Sequence, residues 1–235
     1  MEGLSSSIPD GASRIRADIE AARDLLAAMA EDTALQECVA AVARSCESAL
    51  RSGGKVLFCG NGGSAADAQH LAGEFVSRFH FDRQPLAAVA LTTDTSVLTA
   101  IGNDYGYERV FERQVRGLGR AGDVLVGIST SGRSRNVLLA LEAARDLGMV
   151  TVVMTGAQAP ELEGRVDWCI RIPSRSTPKI QEGHIVLGHA LCALVEAAMF
   201  SAGSKTEHGT KLPGEPAAHD GAVESASPHI QRRLA

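Results

Sequence analysis

Apolar and charged positions alternate at helical spacing from residue 14 to residue 52, with Ile15, Ile19 and Leu26 on one stripe and Leu35, Val39, Val42, Cys46 and Leu50 on another. The pattern predicts an N-terminal helical hairpin broken near Asp32, whose Ala-rich apolar face suits another helix or another subunit as well as a sheet. From Lys55 the pattern changes to short β-branched or aliphatic runs. KVLFCG (55–60), LAAVAL (86–91), DVLVGIS (123–129), MVTVVMT (149–155) and WCIRI (168–172) each read as a strand. Helical patterns separate most of them, over 64–79, about 136–147 and about 179–200. Strands apolar on both faces and joined by helical crossovers imply an α/β three-layer sandwich, with a mostly parallel five-stranded sheet flanked by helices.

After Phe200 the chain becomes rich in Gly, Pro, Ala, Ser and charge, which predicts a disordered tail over 203–235 behind a single domain over 13–202. The tail carries His208, His219 and His229, too widely spaced in a flexible segment to fix a metal geometry. Lys plus Arg number 23 against 28 Asp plus Glu, a formal net charge of -5. That balance lacks the basic excess needed to hold phosphate backbones by charge, so no nucleic-acid partner is expected. The apolar runs are short of the ~18–20 residues that span a bilayer, and the N-terminus has no apolar signal region. The expectation is a cytoplasmic protein with no membrane partner. Five cysteines without a CxxC pair argue against a disulfide framework or a Cys-rich zinc site.

In parallel sheets ligands sit outside the carboxyl ends of strands, and two of the loops at those positions are unusual. After KVLF comes Cys59-Gly60-Asn61-Gly62-Gly63-Ser64, opening directly into a helix. Its glycines permit close backbone approach, and the helix start aims unpaired N–H groups at an anion. The plainer alternative is a tight turn with Ser64 as helix cap. After DVLVGI comes Ser129-Thr130-Ser131-Gly132-Arg133-Ser134, whose four hydroxyls before a helix exceed capping needs and suit phosphate oxygens without large positive charge.

His70 and Glu74, four apart on the helix after the first loop, lie about 40° apart around its axis and share a face. A His and a carboxylate so placed can both reach zinc, or act as acid and base over one carbon. Gln181, His184 and His189 lie on or before the last helix. On one straight helix Gln181 and His189 would be ~12 Å apart along the axis and about 80° out of phase. One metal is then hard to share, unless Gln181 precedes the helix and turns back or the ligands come from neighbouring subunits. The interface arrangement is favoured. His184 reads as a supporting or structural residue, and Asp94 as a helix cap.

The two loops resemble those of the sugar isomerase (SIS) domain family, of flavodoxin-like fold. The stretches GNGGSAADAQHLAGEFVSRF, ALTTDTSVLTAIGNDYGYERVFERQV, STSGRS and TPKIQEGHIVLGH narrow the resemblance, over roughly residues 13 to 200, to the phosphoheptose isomerases. The resemblance implies conversion of sedoheptulose 7-phosphate to D-glycero-D-manno-heptose 7-phosphate through an enediolate, the first step of heptose biosynthesis. It also implies one zinc per site and a homotetramer with active sites between subunits. It makes His70, Glu74, Gln181 and His189 metal ligands, with Glu74 and His189 as the catalytic acid–base pair. Substrate contacts fall by the same matching on Asn61, Gly62, Gly63, Ser64, Glu74, Asn103, Asp104, Ser129, Thr130, Ser131, Ser134 and Gln181.

Two other readings use the same scaffold. A noncatalytic SIS-domain oligomer that binds a DNA-replication initiator protein would not need His70, Glu74, Gln181 and His189 together. A phosphosugar-sensing regulator would usually pair the domain with a DNA-binding one, and residues 14–52 show no basic helix-turn-helix signature.

Overall fold

The computed structural model describes residues 10–159, 162 and 164–200; the predicted tail and its three histidines lie outside the described residues. Five strands, β1 (Val56–Gly60), β2 (Ala88–Ala90), β3 (Val124–Ile128), β4 (Val150–Thr155) and β5 (Trp168–Arg171), form one sheet in the order β2-β1-β3-β4-β5. Every neighbouring pair is parallel, with Val56 opposite both Ala88 and Val124, and Gly60 opposite Ile128.

The period-two geometry of a strand sends successive side chains to opposite faces, and here both faces are covered. Val56, Phe58, Val126, Val152, Met154 and Ile170 point into a core built with α2 (Thr33–Arg51), α3 (Gly63–Val76) and α7 (Thr177–Phe200). Leu57, Cys59, Leu125 and Val153 point into a second core with α5 (Val110–Leu118) and α6 (Arg135–Asp146). The continuous apolar runs in the sequence follow from this double coverage.

The stripe of α2 is buried as its spacing predicts, whereas that of α1 (Gly11–Glu31) is not. Ile15 and Ile19 are 63% and 64% exposed, and it is Leu25 and Met29 that α1 buries. Asp32 alone separates the two helices and caps α2, accepting from the Leu35 N–H at 2.9 Å.

Beyond the cap signal of Asp94, the apolar pattern marks no helix between residues 92 and 120, where the structure has α4 (Thr95–Tyr105), a 3-10 turn over Tyr107–Arg109, and α5. No residue of α4 is fully buried, so it shows no clean apolar stripe, and α5 has only nine residues. Asp94 does cap α4, accepting from the Val97 N–H at 2.9 Å.

A second difference concerns α7, which is long and apolar enough to cross a membrane by length and composition alone. It instead buries Leu191, Cys192, Val195 and Glu196 among α2, α3 and the sheet. A helix covered on several sides is apolar around most of its circumference for that reason.

Candidate active site

From β1 the chain moves to β2 on one side and then crosses back past β1 to β3 on the other. The β1/β3 boundary is therefore the topological switch point, where crevices open at the carboxyl ends of parallel strands. Residues 61–64 follow β1 and residues 129–134 follow β3, so both unusual loops converge there.

A reciprocal amide pair ties the loops together. Asn61 Nδ2 donates to Asn136 Oδ1 at 2.9 Å, and Asn136 Nδ2 donates to Asn61 Oδ1 at 2.8 Å. The Tyr107 hydroxyl also donates to Asn61 Oδ1, at 3.3 Å. The side chain of Asn61 is thus engaged within the protein, and its carbonyl accepts from the Ser64 N–H at 3.0 Å. Neither Asn136 nor Tyr107 was singled out from sequence, because their partners lie 75 and 46 residues away.

The first loop enters α3 with Gly62 as N-cap at φ +56°, a left-handed conformation that glycine adopts without strain. Gly62 rather than Ser64 occupies the cap position, and Ser64 is buried inside the first turn. A side chain at Gly63 would collide with the Gln181 amide, so this glycine lets α7 lie against the start of α3.

In the second loop Ser129 Oγ donates to Ser134 Oγ at 2.9 Å, and Ser131 Oγ accepts from the Arg133 N–H at 3.2 Å. Ser131 and Ser134 thereby use an acceptor position internally and keep an O–H to donate, whereas the Ser129 O–H is spent on Ser134. Ser134 is the N-cap of α6 yet makes no side-chain capping bond. Beside it lies a cavity of about 200 Å³ lined by Thr130, Ser131, Arg133, Gln158, Arg175 and Thr177, among others. Gln158 and Arg175 enter from loops that gave no sequence signal, and Thr177 from the helix start that opens the stretch TPKIQEGHIVLGH.

His70 and Glu74 of α3 meet His189 of α7. His70 Nε2 stands 2.8 Å from His189 Nε2 and 3.4 Å from Glu74 Oε1. Close helix contact makes this meeting possible, since a Cβ at Gly188 would approach Leu71 Cδ2 to 2.7 Å. The facing ring nitrogens can share one proton, one donating and the other accepting. One ligand atom from each of the three residues lies within 4.8 Å of the other two. Tetrahedral zinc with Zn–N near 2.0 Å needs donors about 3.3 Å apart, a value the 2.8 and 3.4 Å separations bracket. Two imidazoles and a carboxylate also suit that ion, so the donor set fits.

Gln181 does not precede the last helix; it lies within α7, two turns before His189. His189 nevertheless joins His70 and Glu74 of its own chain, so a second subunit is not needed to assemble those three. Asn103 and Asp104 lie on the exposed last turn of α4, where Asn103 Nδ2 donates to Asp104 Oδ1 at 2.8 Å.

His184 is buried, and among the described residues neither of its nitrogens has a partner in hydrogen-bonding geometry; nor does the Thr155 hydroxyl. Burial pushes its pKa from 6.5 down to about 4, with the nearby Thr155 backbone opposing. A group whose pKa is lower in the folded state stabilises the fold fully above its unfolded pKa, and that contribution fades as pH falls toward the folded value. Between pH 6.5 and about 4, His184 should therefore cost the fold ~3 kcal/mol on acidification. Denaturant melts of wild type and His184→Leu at pH 7 and pH 4.5 check this; equal acid losses in the two would remove His184 as the cause.

The SIS domain family model matches residues 19–156. A phosphoheptose isomerase of Burkholderia pseudomallei is 58% identical over 182 residues, covering 77% of this chain and 92% of the relative. Another, from Aneurinibacillus thermoaerophilus, is 51% identical over 186 residues, covering 79% and 94%. The chain belongs to the phosphoheptose isomerase family. A solved phosphoheptose isomerase structure from Neisseria gonorrhoeae superposes with a TM-score of 0.74 at 45% identity, covering 79% of this chain and 98% of that one. One from Francisella tularensis gives 0.76 at 37% identity, covering 80% and 98%. The family's fold thus accounts for the sheet, the flanking helices and the switch-point crevice.

Proposed function

We infer that the chain is an aldose–ketose isomerase that converts sedoheptulose 7-phosphate to D-glycero-D-manno-heptose 7-phosphate, opening heptose biosynthesis. What carries the reading is the meeting of His70, Glu74 and His189 in a chain of this family. A noncatalytic oligomer has no use for that cluster, and a DNA-binding regulator is disfavoured by the absence of a basic recognition helix in α1 or α2.

Shifting the carbonyl from C2 to C1 requires removal of a proton from C1, stabilisation of an enediolate, and return of a proton to C2. Glu74 is the group we assign to carry that proton. Its Oε1 faces His70, while Oε2 makes no protein hydrogen bond among the described residues and is left for the transfer. His189 moves protons between the substrate oxygens. Ser129, Thr130, Ser131 and Ser134 hold the phosphate at the start of α6, where free N–H groups and the helix dipole favour an anion. The backbone of Asn61, Gly62, Gly63 and Ser64, with Asn103, Asp104 and Gln181, contacts the sugar. His70, Glu74 and His189 would hold a zinc ion, with Gln181 as a further ligand supplied by a neighbouring copy, and the ion when bound would stabilise negative charge developing on the substrate oxygens.

We further propose a cytoplasmic homotetramer. The exposed Ile15, Ile19 and Leu26 of α1 and Val186 and Leu194 of α7 support burial against other copies.

Incubation of the zinc-supplied protein with sedoheptulose 7-phosphate, followed by NMR, tests the reading: aldoheptose phosphate signals should grow with time. Protein that binds the phosphosugar and zinc yet leaves the ketose unchanged would favour the noncatalytic alternative.

The phosphate assignment has its own test. Ser131→Ala and Ser134→Ala should each raise KM with little change in kcat, by about 1.5–3 kcal/mol of lost hydrogen bonding to a charged group. If the single and double variants bind phosphosugar like wild type in calorimetry, the hydroxyls serve only the loop.

A further inference from the structure

Residues 77–87, between α3 and β2, form no helix or strand, yet two buried charges hold the segment in place. Helix α3 ends at Val76, two residues beyond Glu74, and its last carbonyls lack intrahelical donors. Arg83 supplies them. Its Nη2 donates to the Glu74 carbonyl at 2.8 Å, and its Nη1 donates to the Phe75 carbonyl at 2.8 Å and the Gln84 carbonyl at 3.0 Å. Its Nε donates to Glu196 Oε1 at 2.7 Å.

Glu196 lies on α7 seven residues after His189, about 20° from the same face and ~10 Å further along the axis. Its carboxylate also accepts from the Phe79 N–H at 2.8 Å and the His80 N–H at 2.7 Å. The Phe79 ring held there packs against His189, with centroids 5.5 Å apart. The Arg83 and Glu196 side chains are 2% and 1% exposed. One ion pair therefore joins the end of α3 that carries Glu74 to the helix and the aromatic wall that carry His189.

We propose that Arg83 and Glu196 are positioning residues for the isomerisation, setting the separation between the Glu74 carboxylate and the His189 ring; this rests on the isomerase reading above. Desolvation offsets much of the attraction in a buried ion pair, so stability alone is a weak reason for one, and apolar contact would hold α7 to this segment as well. The pair adds direction. The planar guanidinium reaches the Glu74, Phe75 and Gln84 carbonyls and Glu196 at once, while the carboxylate orients two successive backbone N–H groups.

Glu196→Gln and Arg83→Lys test this, because each keeps the approximate size while removing a charge or the fork geometry. In folded variants we expect kcat to fall about 10- to 100-fold, KM for the heptose phosphate to stay within about twofold, and Co²⁺ to bind about 10- to 100-fold more weakly with an altered visible spectrum. A lower melting temperature with kcat per folded chain and cobalt binding unchanged would overturn the proposal, as would kcat and KM changing together. If neither variant folds, Phe79→Leu, which leaves the ion pair intact and removes the ring against His189, carries the same expectations. Wild-type protein that binds cobalt but does not convert the heptose phosphate would overturn the isomerase reading, and the pair would then be judged by the cobalt spectra. Wild-type protein that does neither would overturn both.

Discussion

Glu74→Gln should reduce kcat about 10²- to 10⁴-fold, the range that a positioned proton carrier contributes, without unfolding the chain. The substitution keeps the side chain's size and one oxygen, and Glu74 is partly exposed on the face of α3. Among the described residues its side-chain ion pair is with His70, at 3.4 Å across one helical turn, and a partly exposed pair of this kind adds little to stability. Circular dichroism and native mass should match wild type, while the NMR assay shows little or no aldose phosphate. Metal content measured on the same samples separates two ways of losing activity. Full metal with no turnover fits loss of the proton carrier, and lost metal fits loss of a ligand. A folded Glu74→Gln protein with near wild-type turnover would remove Glu74 from the mechanism.

The second large effect is the absence of complementation. Spacing along the last helix favoured a site assembled between chains, in which Glu74→Gln and His189→Ala subunits would rescue one another. The structure brings Glu74 within reach of His189 inside one chain, with His70 between them at 3.4 and 2.8 Å. In a mixed oligomer each cluster would then carry one defect or the other, and no intact set would form. Exchange of the two inactive variants, verified by mass spectrometry, should leave activity at the level of the unmixed proteins. Recovery toward a quarter or more of wild-type turnover would show that neighbouring chains complete each other's clusters.

Much of this architecture could be read along the chain because its signals are local. The runs around Val56, Val124 and Val150 are apolar on both faces, and only a sheet covered on both sides buries such strands. The glycines at 62 and 63 and the hydroxyls at 129–134 follow strands, which by itself places them at the ligand end of a parallel sheet. His70 and Glu74 share a face by helical period alone. Other assignments, including Asn103, Asp104 and Gln181, came from resemblance to the family, and the structure leaves the first two paired with each other on the surface.

Tertiary structure decided what depends on contacts between distant segments, because sequence periodicity carries no information about which helix another one touches. His189 reaches His70 because Gly188 lets α7 close on Leu71, a consequence of helix packing invisible in the spacing of either helix. Asn61 is bound to Asn136 across 75 residues, which reserves its side chain for joining the two loops. The exposed Ile15 and Ile19 show that α1 presents to solvent the stripe its periodicity assigned to packing, since one chain alone covers only Leu25 and Met29. Glu196 reads as an isolated acid in an apolar helix, and Arg83 as a charge in a loop. Their separation of 113 residues hid the ion pair that links the two halves of the site.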